Sequence, residues 1–144
     1  MSQRSQTIRG VGQAFFDLPP RSDAQELLDG DHLDPTELAA NLRDIRRVNH
    51  LLGGTKTTLQ HLPELLAGLP EGKTVPILDL AAGSADIPVA ISAWAAKAGR
   101  PVDIVASDYS NEILAVAHEQ VTGHPTITLA RYDARDVPLP DRSI

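Results

Sequence analysis

At 144 residues the chain is long enough for one domain with a modest core. Hydrophobic residues make up 42% and charged residues 22%, as in an ordinary globular protein, and with only 3% aromatics the core must come from Leu, Val, Ile and Ala. A net charge of −6 argues against nucleic-acid binding, and the absence of cysteine excludes disulfides and thiolate metal sites.

Residues 1 to 33 show no sustained periodicity and are interrupted by Pro19-Pro20. The first sixteen residues lack acids and carry Arg4 and Arg9, but so few cations suit a flexible N-terminal segment better than a transit peptide. No apolar run approaches the roughly 20 residues that span a bilayer, so no transmembrane segment and a cytoplasmic location are expected.

Residues 34–70 read as an N-terminal helical cap. Asp34-Pro35-Thr36-Glu37 opens a helix, with Asp34 as cap, Pro35 at the first helical position and Glu37 where a capping box places a carboxylate. Leu38, Leu42, Ile45, Val48 and Leu52 then form a single apolar stripe, ended by Gly53-Gly54. A second helix is predicted from Thr55, packing through Leu59, Leu62 and Leu66. Pro63 is expected to kink or divide it, because proline removes a backbone donor and clashes with the preceding turn. Arg43, Arg46 and Arg47, opposed by Asp44, read as a solvated face, the alternative being a lid that meets an anionic substrate.

From residue 71 onward the pattern becomes strand, helix, strand, helix, strand. The predicted strands are Val75 to Leu80, Val102 to Ser107 and Ile127 to Tyr132, with helices from about Ala85 to Ala98 and from Asn111 to Gln120. Gly99-Arg100-Pro101 and Gly123-His124-Pro125 break the chain before the second and third strands. Such alternation implies an α/β fold, with a Rossmann-like parallel sheet and right-handed crossovers.

Three consecutive strands each run to an aspartate, Asp79, Asp108 and Asp133, at the carboxyl edge where open α/β sheets bind ligands. Gly83 lies in the tight turn after the first strand, where a missing side chain lets backbone approach a ligand, and Ala81 and Ala85 flank it with small side chains. Asp79 can accept from a ligand ammonium group. Asp108 can accept both hydroxyls of a ribose, since an ionised carboxylate has two oxygens and no donor. Tyr109 offers a flat face for a purine, Asp133 an acceptor for an exocyclic amine, and Ala134 a backbone N–H for a ring nitrogen. Blander readings stand beside these. They make Asp79 a turn-forming acid, Asp108 and Ser110 caps of the next helix, and Asp133 and Asp136 solvated loop charges.

Ile77-Leu78-Asp79-Leu80-Ala81-Ala82-Gly83-Ser84-Ala85-Asp86 resembles the first motif of class I S-adenosylmethionine-dependent methyltransferases, and Val105-Ala106-Ser107-Asp108-Tyr109-Ser110 resembles their second. The segment from Arg131 to Ser143 is similar to the one after their third strand. The likeness covers about Val75 to the end and is closest to ubiquinone/menaquinone-biosynthesis-like enzymes. It implies S-adenosylmethionine as cofactor and a small-molecule methyl acceptor. Asp79 and Gly83 would then contact the methionine part, Asp108 the ribose, Tyr109 and Ile113 the adenine face, and Asp133 the adenine amine.

Two departures stand out. Ala81 and Ala85 replace the outer glycines of the family's Gly-x-Gly-x-Gly turn, which is tolerable only if neither position needs a positive φ. The family's sheet order, 3-2-1-4-5-7-6, makes the first strand central, whereas this chain stops at Ile144, before a fourth strand. Strands 3-2-1 alone would leave Val75 to Leu80 as an exposed edge that invites self-association, so a marginally stable fragment is expected.

No general base can be named from the sequence. The five histidines, His32, His50, His61, His118 and His124, have no metal-ligand spacing and read as surface or partly buried polar groups. Two other classes compete with the enzyme reading: a non-catalytic cofactor-binding or interaction fragment, and a nicotinamide-dependent dehydrogenase. The latter would place Ala81, Gly83 and Asp86 at its glycine sites, where Asp86 would repel a pyrophosphate at the helix start.

Overall fold

The computed structural model describes residues 34–141 and Ser143; the N-terminal segment read as flexible, with His32, lies outside them. In chain order the elements are α1 (Pro35–Leu51), α2 (Gly54–Leu66), β1 (Val75–Leu80), α3 (Asp86–Ala98), β2 (Val102–Asp108), α4 (Asn111–Val121) and β3 (Ile127–Arg131).

The three strands form one parallel sheet in the order β1-β2-β3, so β1 is an edge. Val75 pairs with Val102 and Asp79 with Ala106, while Ile104 pairs with Ile127 and Asp108 with Arg131. The expected Rossmann-like α/β sheet with N-terminal helices is therefore present. Paired residues of a parallel ladder share a face. Val75, Ile104, Ala106 and Ile127 point to one side, where they cluster with Ile91 and Ala95 of α3 and Ala117 of α4. The opposite side carries Leu78 and Val105, both half-buried, and Leu80, which is 38% exposed.

The caps follow the sequence. Asp34 accepts from the backbone N–H of Thr36 at 2.7 Å and of Glu37 at 3.2 Å. Ser110 Oγ accepts from Ile113 N–H at 3.2 Å and so opens α4. Gly99 closes α3 in the left-handed conformation.

One expectation about the cap helices needs correction. α2 runs unbroken through Pro63, which sits three residues before the helix end, where little of the ladder remains to be lost, and its ring is exposed. Leu62 is buried, and Leu59 and Leu66 pack against the core as expected. In α1 only the first half of the apolar stripe is buried. Leu38 and Leu42 are inside, whereas Ile45, Val48 and Leu52 are exposed, with Leu51 beside them. The far half of α1 runs past the start of α3, and no described element covers that stripe.

Candidate functional site: the carboxyl edge of the sheet

The chain leaves β1 through residues 81 to 85 before entering α3. Ala81, Gly83 and Ala85 have φ of 57°, 56° and 60°, so alternate residues are left-handed. Glycine adopts this conformation without cost, while each alanine carries roughly 1–2 kcal/mol of steric strain. The condition set by the two alanines is thus not met, because both positions take a positive φ. What holds them there is hydrogen bonding across to the end of β2. Ala82 N–H donates to the Ser107 carbonyl at 2.8 Å and Gly83 N–H to Asp108 Oδ2 at 3.1 Å, while within the turn Ala85 N–H donates to the Ala82 carbonyl at 2.9 Å. Ala85 is also fully buried in the core, so its methyl offsets part of the strain by packing.

Asp108 is 8% exposed and ends β2. Its Oδ2 accepts from Gly83 and its Oδ1 from Ser110 N–H at 3.2 Å. Each carboxylate oxygen can accept twice, so one lone pair on each is left over. The capping reading and the ligand reading of this segment therefore coexist: Ser110 caps α4, and Asp108 orders the turn while keeping capacity for two donors.

Asp79 is half-buried one residue before the end of β1, and no described residue donates to its carboxylate. Burial, and secondarily the negative charge of Asp86, raise its pKa above the ordinary 3.8. Its carbonyl accepts from Ser107 Oγ at 3.0 Å. A positively charged ligand group beside Asp79 would relieve both destabilising effects.

Tyr109 is exposed, but its ring has a companion that the sequence did not announce. The Arg131 guanidinium carbon lies 5.1 Å from the ring centroid, in cation–π range, and Arg131 Nε donates to the Tyr109 carbonyl at 2.8 Å. The strand register, which pairs Asp108 with Arg131, creates this contact. Ile113 is buried in the first turn of α4. Tyr132 N–H donates to the Asp108 carbonyl at 3.2 Å, which brings the segment leading to Asp133 and Ala134 to the same edge.

Asp133 already has a partner. Arg135 Nη2 meets its Oδ2 at 2.7 Å, and Arg135 Nε and N–H meet its Oδ1, each at 2.9 Å. These bonds hold the carboxyl down at about 2. The arginine side chain is largely exposed, and such surface pairs are weak enough to exchange for another donor.

Sequence reasoning also missed the link between the cap and the turn. Asn49 Nδ2 of α1 donates to Asp86 Oδ2 at 3.2 Å, and Ser84 Oγ donates to Asp86 Oδ1 at 3.3 Å. The paired amide and carboxylate, on separate predicted helices, were the available signal. Among the described residues no group of three His, Asp or Glu side chains comes together in a form that could hold a metal.

No family model matches this chain, and no curated protein matches it. Solved structures do. A SAM-dependent methyltransferase from Aquifex aeolicus is similar at 23% identity over 78% of this chain and 54% of its own, with a TM-score of 0.52. The CMeT domain of citrinin polyketide synthase is similar at 23% identity over 60% of this chain and 23% of its own, also with a TM-score of 0.52. The chain thus spans about half or less of the length of these neighbours. Its three-stranded sheet and helices have the fold of the N-terminal part of a class I SAM-dependent methyltransferase domain.

Proposed function

We propose that this chain supplies the cofactor-binding half of a S-adenosylmethionine-dependent methyl transfer to a small-molecule acceptor, in the cytoplasm. The observation that carries the reading is Asp108, a carboxylate fixed by Gly83 and Ser110 with one lone pair remaining on each oxygen. That pair of acceptors fits the two hydroxyls of a ribose, which donate to it. Asp79 fits an ammonium group, because it is acidic, half-buried and without a described donor. Ala81, Gly83 and Ala85 present only small side chains along the turn.

When bound, the cofactor supplies an activated sulfonium methyl. The protein's share is to hold and orient it. Asp108 fixes the ribose, the exposed ring of Tyr109 stacks on the purine beside Ile113, and Asp133 exchanges one Arg135 contact for the exocyclic amine next to Ala134 N–H. No described helix is long and apolar enough to cross a membrane. The outer edge of β1 is the proposed surface for self-association, which sedimentation at several concentrations would detect.

Calorimetric titration with S-adenosylhomocysteine, and separately with NAD, tests the reading. Saturable binding of the first, lost in Asp108→Ala while the fold persists, supports it. Binding of NAD alone overturns it, and no binding of either favours a non-catalytic fragment.

A further inference from the structure

A cavity of about 650 Å³, lined by none of the three aspartates, lies between the far half of α1 and α3. Its walls divide by chemistry. Val89, Ala90 and Ala93 follow Asp86 along α3 at spacings of 3, 1 and 3, a single stripe whose small side chains leave the space open. Leu51 of α1, itself largely exposed, adds an apolar side chain to the lining. On the same helix Arg46, Arg47 and His50 supply the basic groups of the lining.

The charges facing this space are unequal. Asp86 is the only acid of the lining; Asn49 and Ser84 hold its two oxygens without cancelling its charge, and Arg46 and Arg47 outnumber it. Arg47 meets Asp44 at 3.0 Å, but both side chains are well exposed, so the pair is readily exchanged. Arg46 is half-buried and pairs with no described acid. An open, largely apolar groove of ligand size lined by two guanidinium groups suits a molecule with an acidic head and an aliphatic body.

We propose that this cavity binds a small aliphatic acid, its carboxylate or phosphate held by Arg46 and Arg47 and its hydrocarbon lying on Leu51, Val89, Ala90 and Ala93. The arginine fork meets either head group with paired hydrogen bonds, and the aliphatic side chains of Leu51, Val89, Ala90 and Ala93 suit an aliphatic body. This site is independent of the reading of the carboxyl edge, since none of its ligand-holding residues belongs to that edge.

The test is isothermal titration of the full 144-residue chain with octanoate, octyl phosphate, octanol and octyltrimethylammonium, all below micelle-forming concentrations. The expected result is one-site binding of at least one acid, about tenfold or more tighter than the alcohol. The double variant Arg46→Gln/Arg47→Gln should lose that margin and leave octanol unchanged. Ala93→Phe, at an exposed position of α3, should weaken all of the ligands while the far-ultraviolet dichroism stays the same. The two acids assign the head group between carboxylate and phosphate. No saturable binding of either acid, equal affinity for acid and alcohol, tighter binding of the ammonium, or full acid affinity in the double arginine variant would each overturn the proposal. Because no cofactor is present, these outcomes do not depend on S-adenosylhomocysteine binding.

Discussion

The backbone N–H of Gly83 donates to Oδ2 of Asp108 at 3.1 Å, so the turn after β1 is tied to the acid that ends β2. Asp108 therefore shapes the site as well as offering acceptors to a ligand. Asp108→Ala leaves the N–H groups of Gly83 and Ser110 without partners and should destabilise the fold by about 1–3 kcal/mol. It should also abolish S-adenosylhomocysteine binding. Urea denaturation and calorimetry measure the two effects separately.

Strain in the turn leads to a contrast between two alanines. Ala81 is exposed, so Ala81→Gly relieves its left-handed φ with little packing loss and should stabilise the protein by about 1 kcal/mol. Ala85 is fully buried, and removing its methyl forfeits about 0.8 kcal/mol of burial, so Ala85→Gly should be close to neutral. Thermal melts of the two variants check the difference.

The pKa of Asp79 is raised in the folded protein, first by burial and then by Asp86. A carboxyl with a raised folded pKa favours folding when protonated. Its contribution is fully present below the unfolded value and is lost as pH rises through the folded one. Asp79→Asn should therefore stabilise the ligand-free protein at pH 7, and the gain should vanish below about pH 4. The same change should weaken S-adenosylhomocysteine binding, because the ammonium partner is gone. Denaturation curves at both pH values, with titrations alongside, measure the two opposite effects.

The cap helices allow cleaner tests of local structure. Pro63→Ala restores a donor inside α2 at an exposed position and should stabilise by about 1 kcal/mol, less than for a mid-helix proline because the site is near the helix end. Asp34→Ala removes the acceptor for Thr36 and Glu37 N–H and should cost about 1 kcal/mol. Chemical denaturation of each variant suffices.

The parallel sheet was plain in the sequence because buried strands are written as short apolar runs, and Val75 to Leu80 begins and ends where expected. β2 extends one residue further, to Asp108, and β3 stops one earlier, at Arg131, because the ladder pairs these two polar residues, which an apolar pattern does not reveal. The same pairing sets Arg131 over Tyr109. Backbone conformation was less legible. Alanine at positions 81 and 85 argued against a left-handed turn, yet bonds from Ala82 and Gly83 to β2 impose one. The stripe on α1 was read, but not its burial: periodicity shows which residues share a helix face, and neighbours decide how much of that face is covered. Only Leu38 and Leu42 found such neighbours.

With Ile45, Val48, Leu51 and Leu52 left in water, the far half of α1 is fastened to α3 by the amide of Asn49 on Asp86. A helix held in this way can detach without disturbing the layer of Ile91, Ala95 and Ile104 beneath it. A ligand of the proposed cavity would then need only local opening of this segment to exchange, and not unfolding of the sheet.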